Sequence, residues 1–315
     1  MDIQIVNPNL NGTMQNEEVK FIEANTIPMP FKEMKDNHII PVFVKDNEPT
    51  ISHTEFVEVM NDCASQFFKT PTRMPAIRVS HPIKGRTPEA RLKPAKDLEE
   101  WEKTIYYERM AFMVELPQIQ NTIDGKSLSL VIGGVRSLNE TNLYGCKGSV
   151  EKFKIFCGFK VAVCTNLCVW SDGYVGEVKA TSIEQLYKYI MAMLSVFDAE
   201  RQLDYMRRLM TTVLTEMEFA TLLGKTKLYN NMTLKQRKGK PILLLNDTQM
   251  SSVAKGYLSD NEFGAYEDGS ISLWNLYNLM TNAVKNSYID KFLERNVNSI
   301  EFMRAVEQGN NWFGL

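Results

Sequence analysis

The chain has 315 residues and a formal net charge of -2, and 44% of its residues are hydrophobic and 23% charged. These proportions are those of a globular chain with a real core, in one large domain or two ordinary ones. No apolar stretch approaches the roughly 18 residues that would indicate a membrane span, and the N-terminus lacks the pattern of a signal peptide. The five cysteines have no disulfide spacing. We therefore predict a cytoplasmic protein with no membrane contact.

The N-terminal part is mixed in character. Residues 1 to about 30 are polar and without periodicity, which predicts a tail or strap. The apolar stretch His38 to Val44 is a strand candidate. Ser52 and Glu55 fit a capping box, and apolar residues at helical spacing then predict an amphipathic helix over residues 53–68.

The middle of the chain, from about residue 105 to 180, has the period of strands. Apolar side chains alternate with polar ones, and Asp124-Gly125 is a strong signal for a hairpin turn. Gly158 predicts a break or turn, and Ser171-Asp172-Gly173 predicts a second hairpin. The pattern predicts an antiparallel sheet.

The rest of the chain has helical periodicity. A second capping box, Thr181-Ser182-Ile183-Glu184, opens two or three helices that are predicted to end near Gly224. A break is predicted over residues 225–241, and two more helices near 272–285 and 298–308.

This order of elements predicts an α+β fold. We expect a polar tail (residues 1–30), a mixed part with a central antiparallel sheet (31–180) and a helical C-terminal half (181–315), which packs on the sheet as one domain.

The strongest charge pattern is a first basic segment, residues 69–96. It holds eight Lys/Arg and one acid, and five prolines exclude a regular helix. Such a stripe is typical of phosphate binding. Residues 1–68 carry eleven acids and four Lys/Arg. The first basic segment therefore either faces a nucleic acid or folds onto this acidic region and is neutralised.

A second basic segment, residues 225–241, has six Lys/Arg and no acid. Aromatic residues lie within or near the two segments, and proteins that bind single strands combine positive grooves with aromatic platforms for the bases. The four aromatics are Trp101, Tyr106, Tyr107 and Tyr229. The alternative is that the loops are Lys-rich for solubility and that these aromatics belong to the core.

Other reactive residues favour ordinary structural roles. Cys146, Cys157, Cys164 and Cys168 lie in a strand-like region, where one tetrahedral ion could not take both of the last two, so we predict buried, inert thiols. The three histidines are in no nucleophile motif, and Gly133-Gly134 lacks the fingerprint of a phosphate-binding loop. An acidic loop could gather a divalent cation through Asp260, Glu262, Glu267 and Asp268.

Two segments carry a family resemblance. Residues 130–167, LVIGGVRSLNETNLYGCKGSVEKFKIFCGFKVAVCTNL, resemble the central block of phage- and plasmid-like proteins of bacterial mobile elements, which end this block with a C-T-N motif, here Cys164-Thr165-Asn166. Residues 272–290, SLWNLYNLMTNAVKNSYID, look like their closing helix. The histidine usual near the end of that helix is absent, since Tyr288 and Asp290 occupy the neighbourhood, so no metal or catalytic role carries over.

The resemblance implies a role in the biology of mobile DNA. We expect a non-enzymatic protein that binds single-stranded DNA or RNA, similar in task to the annealing proteins of phage recombination, with no cofactor. This analogy is also compatible with a homo-oligomer. The cations predicted to contact phosphates are Arg73, Arg78, Lys84, Arg86, Arg91, Lys93, Lys225, Lys227, Lys235, Arg237, Lys238 and Lys240.

Two alternatives of other classes stay open. One is a protein-interaction or regulatory factor whose basic arm docks an acidic partner. The other is a metal-dependent enzyme that uses the acidic loop.

Overall fold

The structure is a computed structural model that describes residues 20–37, 51–87, 89–138, 140 and 150–309. The strands in these ranges are β1 (Ile27–Pro28), β2 (Ala76–Val79), β3 (Pro82–Arg86), β4 (Lys103–Tyr107), β5 (Arg109–Ile123), β6 (Lys126–Ser137), β7 (Glu151–Val161), β8 (Leu167–Ala180), β9 (Val213–Leu214) and β10 (Ile271–Ser272). The helices are α1 (Phe31–Asn37), α2 (His53–Phe68), α3 (Ile183–Val196), α4 (Ala199–Thr211), α5 (Glu216–Asn230), α6 (Leu234–Arg237), α7 (Asp247–Ser259), α8 (Leu273–Val284) and α9 (Ile289–Glu307).

A six-stranded antiparallel sheet forms the centre of the described chain, with the strand order β1-β2-β5-β6-β7-β8. The long strands β5 and β6 are joined at Asp124-Gly125, where both residues have positive φ (53° and 68°). This conformation suits a tight hairpin turn, whose twist matches that of the strands. The predicted α+β fold with a central antiparallel sheet is confirmed.

Helices cover both faces of this sheet. The ring of Phe56 in α2 lies 4.9 Å from that of Phe112 and 4.8 Å from that of Phe153, centroid to centroid. Lys154 follows Phe153 in β7, and its Nζ donates a hydrogen bond of 2.6 Å to the carbonyl oxygen of Asp290 in α9. Because neighbouring residues of a strand point to opposite faces, α2 and α9 lie on opposite sides. Helix α8 is the interior of the helical half, since eleven of its twelve residues are buried.

Two predicted turns are wrong, because strands β7 and β8 run through them. Phe156 pairs with Tyr174, and Gly158 pairs with Val169. Between these two pairs, β7 moves along by two residues and β8 by five, so β8 is irregular here. The Ser171-Asp172-Gly173 motif falls in this irregular stretch of β8. A Cβ at Gly158 would collide with the carbonyl oxygen of Cys168, and the glycine is needed for that close approach and not for a turn.

Several predicted boundaries also change. The capping box of Ser52 and Glu55 is confirmed, and α2 has the predicted bounds. Helix α5 continues past Gly224 into the second basic segment, and α9 begins nine residues before the predicted start at residue 298. No helix of the described ranges is long and apolar enough to cross a membrane.

The described start of the chain is packed and not a loose strap. Phe21 and Ile22 are buried in the core, and β1 pairs with β2. Residues 20–30 therefore differ from the predicted tail, because a few apolar side chains suffice to anchor them. The strand candidate His38 to Val44 lies outside the described residues.

Candidate nucleic-acid interface

Part of the first basic segment forms the hairpin β3–β4, beside the main sheet. Lys84 lies opposite Ile105, and Arg86 lies opposite Lys103. Because alternate residues of a strand share a face, these four side chains lie on the same side of the hairpin. Lys84, Lys103 and Ile105 are exposed, and Arg86 is half-buried. We call these four residues the hairpin face.

The hairpin face sets two cations directly opposite each other, and like charges in such positions destabilise a strand pair. Two contacts offset this repulsion. Lys103 Nζ pairs with Glu100 Oε1 at 2.5 Å, and the Arg86 guanidinium donates to the carbonyl oxygen of Lys93. Lys84 is exposed and has no ion pair with a described residue.

Local contacts fix the hairpin to the rest of the protein. The hydroxyl of Thr104 lies 2.7 Å from where a Cβ of residue 85 would stand, so Gly85 lets the two strands approach. At the end of β4, the carbonyl oxygen of Tyr107 lies 2.8 Å from Nε2 of the buried His53 in α2. The hairpin is therefore held by the helix that covers the sheet.

The connection between the two strands, described at residue 87 and over residues 89–102, folds back on Glu102. This buried carboxylate forms an ion pair with Lys93, and its second oxygen accepts the backbone N–H of Glu99 at 2.9 Å. The hydrogen bond from Lys93 is the largest cause that lowers the pKa of Glu102, and the Glu99 N–H adds to it. Lys93 thus serves the fold of the connection.

Acids that follow the first basic segment neutralise part of its charge. Residues 97–102 contain four acids, Asp97, Glu99, Glu100 and Glu102, and two of them make the ion pairs with Lys103 and Lys93. A further acid, Glu115 in β5, pairs with Arg73 at 3.1 Å. None of these partners belongs to residues 1–68. Any pairing with residues 1–19 or 38–50 lies outside the described chain.

The predicted aromatic platforms differ in exposure. Tyr107 and Tyr229 are buried, and Tyr106 is half-buried, so these rings pack within the protein. Trp101 is 67% exposed and lies two residues before Lys103. Trp101 is therefore the predicted platform that is open to a ligand.

The remaining cations of the first basic segment fall into two groups. Arg78 in β2 is 6% exposed, and it donates from Nε and Nη2 to the hydroxyl and carbonyl oxygens of Thr26, at 3.1 and 3.0 Å. It anchors the chain before β1 and is not available to a ligand in this conformation. Arg73 and Arg91 are exposed.

The second basic segment is partly engaged as well. Lys227 pairs with Asp247 at 2.5 Å. The Arg237 guanidinium lies 4.7 Å from the centre of the Tyr229 ring, and it donates to the carbonyl oxygens of Asn230 and Met232. Lys225 is half-buried. Lys227 is exposed despite this ion pair, and the exposed cations without an ion pair to a described residue are Lys235, Lys238 and Lys240.

The two basic segments are anchored to different elements. The first is fixed to α2 and β5, as described above. The second is followed by Ile242, whose carbonyl oxygen accepts a hydrogen bond of 2.9 Å from Asn298 in α9. The two segments are therefore attached to the fold through different elements.

Comparison with known proteins gives a family without an assigned activity. A family model described as "Domain of unknown function, B. Theta Gene description (DUF3871)" matches residues 3–312. The chain belongs to this DUF3871 family. No curated protein and no solved structure matches the chain.

Within this DUF3871 chain, the two segments singled out in the sequence, residues 130–167 and 272–290, touch each other through described residues. The Cys164-Thr165-Asn166 motif forms the β7–β8 turn, with Thr165 at a φ of 55°. Buried Asn166 donates to the carbonyl oxygen of Asn278 in α8 at 3.0 Å. The amine of Lys285, just after α8, donates to the carbonyl oxygen of Cys164. This contact joins the sheet to the helical half and accounts for the motif structurally.

The cysteines agree with the prediction of inert thiols where the structure describes them. Cys63, Cys157 and Cys168 are buried and Cys164 is partly buried, all without a disulfide. Burial raises the pKa of each thiol, to about 12 for Cys63, and so disfavours the nucleophilic thiolate. Cys164 lies in a turn and not in a strand, which corrects the geometry assumed for the Cys164 and Cys168 pair. Cys146 lies outside the described residues.

The acidic loop uses its carboxylates locally. Asp260 accepts the backbone N–H groups of Glu262 and Phe263, both at 2.9 Å. Asp268 accepts the N–H and hydroxyl of Ser270. In the described ranges, no three His, Cys, Asp or Glu side chains group as metal ligands.

Sequence reasoning missed Lys103, which is central to the hairpin face. A signal was present, since Lys103-Thr104-Ile105-Tyr106-Tyr107 is rich in the β-branched and aromatic residues that are typical of strands. The structure has two 3-10 turns, Ala95–Asp97 and Glu100–Glu102, before β4.

Proposed function

We propose that the protein binds single-stranded nucleic acid through the hairpin face and Trp101. The observation that carries this proposal is the exposed indole of Trp101, two residues before Lys103 of a hairpin face that holds three cations. Cations that track phosphates and an open ring on which a base stacks are the two parts of a sequence-tolerant single-strand site. Arg91, which is exposed on the connection between β3 and β4, would add a further cation, whereas Arg73 precedes β2 and pairs with Glu115.

The biological setting is part of the proposal. The resemblance of residues 130–167 and 272–290 to phage- and plasmid-like proteins supports a role in a mobile element, with strand annealing as the task. The buried contact between Asn166 and Asn278 supports a structural role for both segments, so the binding role falls to the hairpin. The protein would then act without chemistry of its own.

The first test is fluorescence anisotropy with labelled single- and double-stranded DNA across a salt series. We expect tighter binding to single strands, with a log–log salt slope of roughly -0.7 for each phosphate contacted. Trp101→Ala should weaken binding about tenfold, since a stacked base contributes about 1–3 kcal/mol.

The matched control is Tyr288→Ala, because Tyr288 is 64% exposed but lies at the start of α9. Equal affinities for the two variants would remove Trp101 from the site. Absence of binding at low salt would remove the proposal.

A second function, docking of an acidic protein, is favoured by a different observation. Leu92 is 93% exposed on the same connection as Trp101, and exposed apolar side chains inside a charged rim are typical of protein interfaces. Under this alternative, Leu92→Asp abolishes capture of the partner and leaves DNA affinity unchanged. Under the leading proposal, Trp101→Ala reduces DNA affinity.

The alternative in which the acidic N-terminal region covers the first basic segment has its own test. Deleting residues 1–19 should strengthen polyanion binding if those residues neutralise the segment. This deletion spares Phe21 and Ile22, whose burial makes a deletion of residues 1–30 a test of folding instead.

A further inference from the structure

We propose a second binding site, a cleft between β8, α4 and α9 that takes a small molecule with a phosphate or carboxylate group. The cleft has a volume of about 860 Å³, which lies within the usual range for small-molecule sites. Its lining includes Trp170, Tyr205, Arg208, Arg304 and Glu307. None of these elements belongs to the hairpin, so the inference is independent of the proposed function.

The floor of the cleft is a stack of guanidinium groups on aromatic rings. The guanidinium carbon of Arg304 lies 4.7 Å from the ring centre of Trp170 and 5.2 Å from that of Tyr205. Arg208 lies over the Tyr205 ring at 4.5 Å. Stacking fixes a guanidinium in place and leaves its N–H groups at the edges, where they can donate to a planar anion. Because the guanidinium groups cover the faces of these rings, the ligand is recognised through its charge and not by stacking on a ring.

The acids that line the cleft are mostly engaged elsewhere. Asp198 accepts the backbone N–H of Arg201 at 3.0 Å, as the cap of α4. Asp204 pairs with Arg207 at 2.7 Å. Glu307 pairs with Arg208 at 2.9 Å and accepts the hydroxyl of Tyr205 at 2.8 Å. Of the lining acids, Glu200 alone lacks such a contact with a described residue.

This arrangement leaves Arg304 without an anionic partner. No carboxylate of the described chain lies within 4.0 Å of its guanidinium, although the group is half-buried among two rings. Arg201 lines the same cleft with an exposed side chain. An arginine held in a fixed plane makes strong bidentate hydrogen bonds to phosphate or carboxylate.

The test is isothermal titration calorimetry of the full chain with pyrophosphate and, separately, with citrate, each against sodium chloride at equal ionic strength. We expect saturable binding of at least one of the two anions, and the two arms decide between phosphate and carboxylate chemistry. Arg304→Gln should weaken that binding at least tenfold. Lys291→Gln is the matched control, because Lys291 is an exposed cation on the same helix as Arg304, and neither it nor its partner Glu294 lines the cleft.

Two outcomes would overturn the inference: saturable binding that Arg304→Gln leaves unchanged, or heats for both anions that equal those of chloride. Arg201→Gln provides a second variant if Arg304→Gln fails to fold, since its side chain is exposed and carries no packing. It should weaken binding about threefold, and wild-type affinity in this variant would count against the cleft. Thermal unfolding of each variant verifies that the fold is retained.

Discussion

The two basic segments have similar charge in the sequence but different positions in the fold. The first, residues 69–96, continues into a hairpin where cations share an open face with Ile105 and lie near Trp101. The second, residues 225–241, begins in the last turns of α5, which contain Tyr229. Arg237, further along the segment, is stacked on the ring of that tyrosine. In both segments, one or two cations donate hydrogen bonds to backbone carbonyl oxygens, and most of the others are exposed. Charge density therefore marks a surface, and the contacts decide which cations can serve a ligand.

The largest expected difference between the segments is in binding. Lys84→Glu, Arg86→Glu and Lys103→Glu together should weaken single-strand binding about 100-fold near 0.1 M salt, from three contacts at a slope of roughly 0.7 each. The same reversal at Lys235, Lys238 and Lys240 should weaken binding less than about threefold, because the proposal assigns the phosphate contacts to the hairpin face. Anisotropy titrations at one salt concentration compare the two variants.

A triple reversal at exposed lysines of three helices, Lys32, Lys188 and Lys255, controls for net charge. If the second-segment variant lost as much affinity as the hairpin variant, the two segments would act as one site and the comparison would fail.

The next effect concerns stability within the first segment. Arg78→Ala should lower the free energy of unfolding by about 2 kcal/mol, because it removes buried hydrogen bonds from a charged donor to Thr26. Arg73→Ala removes an exposed ion pair and should cost less than about 1 kcal/mol. Urea denaturation measures both. Equal losses of unfolding free energy in the two variants would show that the buried and the exposed cation have the same role.

A smaller effect is expected in the second segment. Arg237→Ala should lower the free energy of unfolding by about 1 kcal/mol, because it removes a half-buried guanidinium from the ring of the buried Tyr229. Its DNA affinity should equal that of the wild type. A loss of affinity without a loss of stability would make Arg237 a ligand contact instead of a local brace.

The smallest effect is the pH dependence of the hairpin connection. Lys93 lowers the pKa of Glu102, so the pair stabilises the fold above the ordinary pKa of a glutamate. This contribution disappears as the pH falls through the lowered pKa of Glu102. Thermal unfolding of wild type and Glu102→Gln should therefore differ at neutral pH and converge in acid. A gap that persists in acid would assign the stabilisation to packing.

Local signals in the sequence predicted much of the fold. The capping box at Ser52 set the start of α2, and Asp124-Gly125 set the β5–β6 turn, because both act through neighbouring residues. The glycine signals at residues 158 and 173 were misleading for the same reason. A glycine that a turn requires and one that a neighbouring strand requires look identical until the partner strand is present.

The candidate site was predictable only in part. Lys84, Arg86 and Trp101 were named from charge and aromatic content, whereas Lys103 was missed, since it joins them only through the β3–β4 register. Arg78 has the same charge as Arg86 but is buried, and no local pattern distinguishes the two. The cleft around Arg304 had no sequence signal, because its rings and charges come from β8, α4 and α9.

The sequence by itself determined the α+β class, the first amphipathic helix and the two concentrations of positive charge. Periodicity, caps and composition act over a few residues, so they survive without the fold. Only the tertiary structure decided which cations are engaged, which aromatics are open and that Arg304 packs against two rings with no carboxylate of the described residues within 4.0 Å. Those properties depend on residues far apart in the chain, and burial and pairing exist only once the chain has packed.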